Sequence, residues 1–514
     1  MLALSLLAYL LTTPPTLDLA AQVARAAVFR EHGVHIWWSG WFGGTDLLGY
    51  SVLAPVLMAA LGVPVAGSLA TLAATVSGTP LFQTARRPRL ALAAFVVLLL
   101  ADLFAGRVTF VIGSAFAVMA LAAVHGRGRR GAAFAVTAGA ATTLGSPLAG
   151  LFLGLLLLAV AITDRSRRRV AVLSAVAAAV PVVVTTALFP SAAVMPFSRS
   201  GLAMTLTVCV ILLAAVPNRL VRCAVVLLAL AVVGSYVVPS AIGSNVSRLA
   251  MLFAAPVLIG WGTGSRRVLA LALVPLVAWP ALDLAGQLSR ASDPSSQQRY
   301  YTPLLAELDR LQQNAQAAGQ PGRVEIVDPR THWASVYIAE RVPLARGWER
   351  QLDVADNALF YTGTLTAASY HDWLHQLAVR WVAVPDAPLD YAAQAEGALV
   401  RRGLPYLVPV WAGPHWRLYA VRDPEPLVTG PATVVALTAT GVDLEARAAG
   451  VVWVALRYSP YLRARGLDSA AAGLTGCVQP AGAWTSVRLP AAGTYRLDAA
   501  WSIAGVTRLE GGSC

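Results

Sequence analysis

Fourteen arginines fall in five clusters, and their spacing constrains the fold of this chain more than any motif in it. Consecutive clusters are separated by two apolar stretches, each about long enough to cross a bilayer. The short loops that join these stretches hold only Arg107, Arg199 and Arg248. Because cytoplasmic loops collect positive charge, residues 13–64 and everything after about residue 286 are predicted to lie outside. The clusters are Arg86, Arg87 and Arg89; Arg127, Arg129 and Arg130; Arg165, Arg167, Arg168 and Arg169; Arg219 and Arg222; and Arg266 and Arg267.

The composition excludes an ordinary soluble enzyme. Of all residues 57% are hydrophobic and only 13% are charged, and the mean hydropathy is +0.64. The apolar residues concentrate before residue 286, where we expect about eleven transmembrane helices. The formal net charge of +13 does not indicate nucleic-acid binding, because most of it belongs to the predicted inner loops. The apolar stretches are roughly 1–12, 65–83, 89–105, 108–124, 131–146, 148–163, 170–188, 201–217, 221–238, 248–263 and 268–285.

Residues 1–286 are thus predicted to form a multi-spanning α-helical membrane domain with a first outer loop at 13–64. Within that loop, polar residues recur at helical spacing over 18–33, which predicts an amphipathic helix on the outer surface. The aromatic run at 36–42 suits the lipid headgroup layer. The stretch 47–61 is apolar but broken by proline, and we interpret it as interfacial or re-entrant.

The remainder of the chain has a globular composition. We interpret residues 283–299 as a polar link, and we predict that residues 287–430 form an extracytoplasmic α/β domain. Its apolar runs at 324–327 and 381–384 lead into Asp-Pro or Pro-Asp, and helical stretches lie between and after them, as around buried parallel strands. Runs of alternating polarity separated by Gly and Pro predict a small antiparallel β-sandwich over 431–514.

The four cysteines form no metal-binding pattern. Cys209 and Cys223 fall within or beside apolar stretches and are interpreted as small membrane residues. Cys477 and Cys514 belong to the predicted outer region, where oxidation is permitted. We therefore expect a disulfide between Cys477 and Cys514.

Polar and charged side chains crowd the predicted outer face, and charge near membrane depth is costly enough to hint at function. Each has a simpler alternative role. Asp18 could cap the surface helix, and Asp102 and Arg107 could form a local ion pair. The set comprises Asp18, Gln22, Arg25, Arg30, Glu31, His32, His35, Asp46, Asp102, Arg107, Asn245 and Arg248.

The outer α/β domain is unusually rich in aromatic side chains beside His and Arg, notably around His332, Trp348 and Arg350. Tryptophan stacks on sugar faces, and Arg and His form hydrogen bonds with hydroxyl groups. The alternative is a globular core with its ordinary aromatic residues.

The architecture resembles that of the GT-C superfamily of membrane glycosyltransferases. The likeness comprises an acidic residue soon after the first apolar stretch, an amphipathic outer helix, many further apolar stretches and an outer α/β-plus-β region. The local sequence is also similar to uncharacterised actinobacterial members, and the resemblance covers nearly the whole length. The stretches concerned are 41–44, 49–51, 106–110, 146–152, 244–249 and 346–353.

The resemblance implies an inverting glycosyltransferase that takes a sugar from a polyprenyl-phosphate donor. An outer-loop Asp or Glu acts in that family as general base on the acceptor hydroxyl, and Asp18 matches it by its place in the chain. The family's paired acidic motif is absent here, so a divalent metal is left open but unsupported, and no cofactor is assigned.

Arginine forks can stabilise the charge on a departing phosphate, so Arg248, then Arg107, with Asn245 beside them, are the expected donor-phosphate ligands. The expected function is transfer to a glycan or lipid acceptor of the cell envelope, at the outer face of a bacterial plasma membrane. A transporter or lipid exporter, and a non-catalytic envelope assembly protein, are the alternatives. The expected acceptor- or sugar-binding residues are Gln22, Arg25, His35, Asp46, His332, Trp348 and Arg350.

Overall fold

The structure, a computed structural model, describes residues 1–126 and 128–501. The chain divides into two compact units, each built from two segments. Unit 1 comprises Met1–Arg30 and Gly49–Ala291, and unit 2 comprises Glu31–Leu48 and Ser292–Cys514. The predicted outer loop is therefore shared between the units, because its 31–48 part belongs to unit 2.

Unit 1 is helical throughout its described secondary structure, and each predicted apolar stretch coincides with one helix. The helices are α1 (Leu2–Thr12), α2 (Leu17–His32), α3 (Leu53–Leu61), α4 (Val63–Phe82), α5 (Pro88–Phe104), α6 (Val108–His125), α7 (Arg129–Gly145), α8 (Pro147–Thr163), α9 (Arg168–Leu188), α10 (Arg199–Ala215), α11 (Arg219–Val237), α12 (Arg248–Trp261) and α13 (Arg266–Ala291). A 3-10 turn, Gly243–Ser247, precedes α12.

Within the described residues, six helices are long and apolar enough to cross a membrane, or seven if α1 and α2 count as one span bent by 69°. Two shorter apolar helices, α8 and α10, accompany them. These helices are consistent with a membrane protein, whereas the figure of about eleven spans stays a prediction. The helix α3 has nine residues and is about 14 Å long, too short to cross, as the interfacial interpretation of this segment requires.

Small residues allow the helices of unit 1 to approach closely. Between α7 and α9, Ala135, Ala138 and Ala171 are fully or almost fully buried. A Cβ atom added at Gly139 would lie 2.8 Å from the Ser174 carbonyl oxygen, so only glycine permits this contact. Such packing is typical of helices that associate within a bilayer, where contact between backbones replaces the hydrophobic effect.

The helix α2 differs from its prediction as a surface helix with one polar stripe. Its buried residues include apolar ones such as Leu19 and Phe29, but also Gln22 and Arg25 from the polar stripe. The helix therefore lies within unit 1 rather than on its surface. Its polar side chains can be buried because neighbouring elements provide partners for them.

Unit 2 contains a short hairpin from the first predicted loop, formed by β1 (Trp37–Trp38) and β2 (Thr45–Asp46). The aromatic run 36–42 is buried inside this unit, so its predicted place among lipid headgroups is wrong. Trp41 Nε1 donates a hydrogen bond to the Ser335 carbonyl oxygen at 3.1 Å. A Cβ atom at Gly347 would lie 2.3 Å from the Trp41 ring, which shows how tightly the hairpin is packed.

The α/β part of unit 2 has a four-stranded sheet in the order β3-β4-β6-β5. Its predicted parallel pair is present: β3 pairs with β4 in parallel, and β6 then adds antiparallel to β4. The polar link predicted at 283–299 is partly helical, since α13 continues to Ala291. The elements are α14 (Gln298–Ala317), β3 (Arg323–Ile326), α15 (Ala334–Tyr337), α16 (Arg350–Asp356), α17 (Ala367–Gln376), β4 (Val379–Pro385), α18 (Gln394–Arg401), β5 (Leu407–Ala412) and β6 (Trp416–Val421).

The C-terminal strands form one eight-stranded sheet, nearly closed like a barrel, in the order β7-β10-β13-β12-β11-β14-β9-β8. The predicted antiparallel β-rich region is present, but as one continuous sheet rather than the two sheets of a sandwich, because β12 pairs with both β11 and β13. Cys477 lies on β12, and its predicted partner Cys514 is outside the described residues. The strands are β7 (Val428–Thr429), β8 (Ala432–Thr438), β9 (Gly441–Ala446), β10 (Gly450–Arg457), β11 (Leu462–Gly466), β12 (Thr475–Ala481), β13 (Trp484–Leu489) and β14 (Gly493–Ala499).

Candidate functional site

A cluster of three aspartates and two arginines in unit 1 is the strongest candidate site. Its centre is Arg107, which lies in the turn between α5 and α6. The Arg107 guanidinium bonds Asp102 on α5 at 2.8 Å, Asp283 on α13 at 2.6 Å and Asp18 on α2 at 3.2 Å. One buried cation thus ties together carboxylates from three helices. We call Asp18, Asp102, Arg107, Arg248 and Asp283 the Asp18 cluster.

Asp18 lies in the first turn of α2, as the second residue of the helix. Only one oxygen of its carboxylate is engaged: Oδ2 lies 3.2 Å from Arg107 Nε and 3.5 Å from Arg248 Nη2. No described residue donates a hydrogen bond to Oδ1, and the side chain is partly exposed. The carboxylate is therefore held in place at one oxygen and can accept a proton at the other.

Gln22 fixes the position of α2 against the turn that carries Arg107. Its Nε2 donates to the Gly106 carbonyl oxygen, and its Oε1 accepts from Thr109 N at 2.6 Å and from Thr109 Oγ1 at 3.0 Å. Glycine is required at 106, since φ is +80° and a Cβ atom would lie 2.3 Å from Thr16 Oγ1. Both ends of the Gln22 amide are occupied by protein groups, so here it positions α2 rather than offering itself to a sugar.

Arg248 is the more accessible arginine of the cluster. It is the first residue of α12, directly after the 3-10 turn, in which Gly243 has φ +42°. Its guanidinium lies 6.0 Å from the Phe110 ring, and its only carboxylate partner among the described residues is Asp18. Asn245 lies partly buried in the same 3-10 turn. The structure thus brings Asp18, Arg107 and Arg248 together, with Asn245 three residues from Arg248 in the chain.

A small cleft adjoins the cluster, with room for a water-sized group. Asp102, Arg107 and Asp283 form its polar side, and α5, α12 and α13 supply an apolar wall. The apolar residues of this wall are Leu98, Ala101, Met251, Pro280 and Leu284. The cleft therefore has one charged side and one apolar side.

Two polar residues on α13, Asp283 and Gln287, were not predicted as site residues from the sequence. Asp283 had been assigned to a polar link, yet it makes the shortest contact to Arg107. Gln287 follows one helical turn later; it is 6% exposed, and its Oε1 accepts no hydrogen bond from the described residues. A useful signal was available in the sequence: the four-residue spacing of these polar side chains continues the helix past its apolar stretch.

Three other predicted ligands lie outside the Asp18 cluster. Arg25 is buried on α2, with its guanidinium 4.6 Å from the centre of the Tyr50 ring. His35 and Asp46 belong to unit 2. Asp46 accepts a hydrogen bond from Ser459 Oγ at 3.2 Å, and burial raises the pKa of Asp46 to about 7. Their role in acceptor binding stays a prediction.

The residues predicted to bind sugar in the α/β part are packed against one another. The His332 ring stacks on Trp348 with 3.4 Å between centroids, and Arg350 lies 4.9 Å from the Trp348 ring. Arg350 also forms a two-pronged ion pair with Asp390 at 2.8 and 2.9 Å. Burial alone would lower the pKa of His332, but Asp328 and Asp390 raise it above its usual value. These side chains already provide one another with ring contacts and ion pairs. Such an arrangement fits a polar core at least as well as a free sugar site.

A second charged cluster, missed by the sequence analysis, lies in the core of the α/β part. Arg346 bonds Asp353 at 2.6 and 3.0 Å and lies 3.4 Å from Glu396. Neither oxygen of the fully buried Glu325, on β3, receives a hydrogen bond from the described residues. Burial and then the nearby Glu396 raise the pKa of Glu325 well above its usual range, and burial raises that of Glu396 to about 7. One arginine cannot neutralise these carboxyl groups, so the Glu325–Glu396 pair retains a proton.

We expect this pair to make the α/β part less stable above neutral pH. A folded-state pKa raised above the unfolded value contributes stability at low pH that is lost as pH rises through about 7. The loss amounts to about 1.4 kcal/mol per pH unit per excess proton. Hydrogen–deuterium exchange of β3 and α18, corrected for intrinsic rates, should therefore accelerate between pH 5.5 and 8 (roughly the window set by these groups).

Glu325→Gln should flatten this dependence, because the amide can donate to Glu396 and no proton is then needed. His332 and Asp46 shift stability in the same direction, so the comparison with wild type isolates the pair. Glu445→Gln, on the exposed side of β9, is the matched control and should behave as wild type. An unchanged pH dependence in Glu325→Gln would show that the pair is ionised or uncoupled from folding.

Among the described residues, no group of three or more His, Cys, Asp or Glu side chains is arranged to hold a metal ion. In the Asp18 cluster the reason is geometric: the three carboxylates are directed at the Arg107 guanidinium, which occupies the place that a cation would take.

The fold and this site define a protein with a helical unit, whose described residues include helices long and apolar enough to span a membrane, and a mixed α/β and β-rich unit. No protein-family model matches the chain, and a comparison with curated proteins found no match. The resemblance to GT-C glycosyltransferases therefore stays a prediction made from the sequence.

Proposed function

We propose that this protein is a membrane glycosyltransferase that moves a sugar from a polyprenyl-phosphate donor to a cell-envelope glycan or lipid, with Asp18 as the general base. The observation that supports this most is the one-sided pairing of Asp18: arginines hold Oδ2, while Oδ1 has no partner among the described residues. A base must be fixed in position and still have a free oxygen for the acceptor proton.

The reaction would proceed by direct displacement with inversion. The acceptor oxygen forms a bond to the anomeric carbon as the bond from that carbon to the donor phosphate oxygen breaks. The acceptor proton passes to Asp18 Oδ1, and the donor leaves as polyprenyl phosphate carrying one more negative charge. Arg248 is suited to stabilise that charge, since it has one carboxylate contact at 3.5 Å and is partly exposed.

Arg107, the second predicted phosphate ligand, has a different role in this proposal. Its Nε, Nη1 and Nη2 groups each face a carboxylate, so little donor capacity is left for a phosphate. We assign Arg107 to positioning Asp18, and Arg248 to the phosphate.

We expect Arg248→Ala to weaken donor binding by about 1.5–3 kcal/mol, or roughly ten- to a hundredfold, as loss of a charge-assisted hydrogen bond does. Binding of farnesyl methyl phosphate, a phosphodiester that mimics the donor, can be measured with the full chain in nanodiscs. Arg199→Ala is the matched control, since Arg199 is an exposed first residue of α10. Equal affinity in the Arg248→Ala variant and wild type would reduce Arg248 to a membrane anchor.

The proposal also requires an orientation in a bacterial plasma membrane with the region after about residue 286 outside. A reporter enzyme that is active only outside the cytoplasm should work when fused at residue 300 and fail when fused at 128 or 167. The arginine clusters Arg127–Arg130 and Arg165–Arg169 are the reason, because they mark inner loops. The reverse pattern would place the Asp18 cluster on the wrong face for envelope glycans.

A further inference from the structure

We propose that Asp283, acting through Arg107, restricts the Asp18 cluster to ligands with a singly charged phosphodiester and weakens binding of phosphate monoesters and diphosphates. This inference rests on the proposed function, because it concerns the phosphate that Arg248 would bind. It makes Asp283 a residue that determines specificity, although it contacts Arg107 and not the ligand.

The net charge of the cluster disfavours a second negative charge on the ligand. By formal charge, three carboxylates and two guanidinium groups leave one net negative charge within a small, partly buried space. An anion that approaches Arg248 therefore meets an arginine already paired with Asp18 and a second arginine surrounded by carboxylates. One negative charge on the ligand can pair with Arg248. A second negative charge would have no cation of the cluster available to pair with.

Asp283 occupies a donor group of Arg107 at the edge of the cleft. Its Oδ2 lies 2.6 Å from Arg107 Nη2, and both residues line the cleft beside the cluster. Without this carboxylate, the Arg107 Nη2 group would face the cleft with no partner from α13. Asp283 therefore occupies an Arg107 N–H group that would otherwise be available to a further oxygen of the ligand.

A buried polar atom without a donor lies one helical turn from Asp283. Gln287 lies one turn beyond Asp283 on the same side of α13, is 6% exposed, and has an Oε1 with no donor among the described residues. A buried acceptor without a donor is costly, and a ligand hydroxyl would satisfy it.

Phosphodiesters and phosphate monoesters differ in negative charge, and this difference would change their affinity for the cluster. A phosphodiester carries one negative charge at neutral pH, whereas a phosphate monoester carries about 1.5 to 2, because its second pKa is near 6. The sugar donor is a diester, and the polyprenyl phosphate left after transfer is a monoester. A site that prefers the diester takes up the donor and releases the more highly charged product.

The test measures binding of farnesyl methyl phosphate, farnesyl phosphate and farnesyl diphosphate to the full chain in nanodiscs. Wild type should bind the diester at least about tenfold more tightly than either more highly charged ligand. Asp283→Asn should raise affinity for the monoester and the diphosphate by about tenfold and change the diester much less. Asp164→Asn is the control and should change none of them, since the described partners of this carboxylate are the neighbouring residues 166 and 167.

Gln287→Glu provides a second variant with the opposite sign, since an added carboxylate one turn from Asp283 should strengthen the discrimination. Equal affinity of wild type for all three ligands, or no change of selectivity in both variants, overturns the role of Asp283. If Arg248→Ala also leaves diester binding unchanged, the phosphate site of the proposed function fails as well. If Arg248→Ala weakens binding while both selectivity variants match wild type, only the role of Asp283 is lost.

Discussion

Asp18→Asn is expected to reduce sugar transfer by a factor of about 10² to 10⁴, the range for loss of a general base. The amide is nearly isosteric with the carboxylate and can still accept hydrogen bonds from Arg107 and Arg248 at its oxygen, so folding should be little affected. What it lacks is an oxygen that can take up a proton. The assay uses labelled polyprenyl-phosphate sugars, extracted as one pooled fraction from the producing cells, as donors. It measures the transfer of the label into cell-envelope material.

The matched control is Glu31→Gln, which removes a carboxylate from the last turn of the same helix. Glu31 is 63% exposed and lies 4.0 Å from His32, so its loss should leave transfer intact. Full transfer by Asp18→Asn would remove Asp18 as the base. Solute uptake by proteoliposomes without any glycosyl transfer would favour the transporter alternative. Copurification with partner proteins, without binding of polyprenyl phosphate, would favour the assembly protein.

Arg107→Ala is expected to destabilise unit 1 by about 3–5 kcal/mol, as removing one partner of a buried ion pair typically does. The reason is that Asp102 and Arg107 are each 9% exposed, and the variant leaves Asp102 buried without its cation. Asp18 and Asp283 would repel one another across the same gap. Unfolding of the full chain in mixed detergent micelles, followed by circular dichroism, measures this loss.

Arg199→Ala removes an exposed arginine and should change stability by less than about 0.5 kcal/mol. The double variant Arg107→Ala with Asp102→Ala should cost less than the sum of the two single variants, because the carboxylate left unpaired is then absent too. Additive costs would show that Arg107 and Asp102 do not interact in the folded protein.

Much of unit 1 followed from local patterns. Each apolar stretch became a helix because helical hydrogen bonds close within one segment, and Gly, Pro or charge ended it. The parallel strands β3 and β4 were predicted from the sequence for a similar reason, since buried parallel strands consist of continuous apolar runs. The clustering of Asp18, Arg107 and Arg248 was partly predictable, because the arginine counts predict the same membrane face for all three.

Local sequence patterns did not determine which residues pair within the charged clusters, because those pairs depend on how distant segments pack. Arg107 could have paired with Asp102 alone, five residues away, yet it also binds Asp18 and Asp283, which are 89 and 176 residues distant. The amphipathic pattern of α2 predicted a surface helix, but Gln22 found buried partners in the α5–α6 turn. Alternating polarity predicted the strands correctly but not how they pair. The same pattern is expected for a sandwich and for one nearly closed sheet, so it could not distinguish them.

The sequence by itself determined where the helices and most of the strands lie, because hydrophobic periodicity and arginine counts act over a few residues or one membrane crossing. Only the tertiary structure decided that Asp283 joins Arg107 and that Glu325 faces Glu396. These contacts depend on how whole helices and strands pack, and their energies arise from burial and charge shared between segments far apart in the chain.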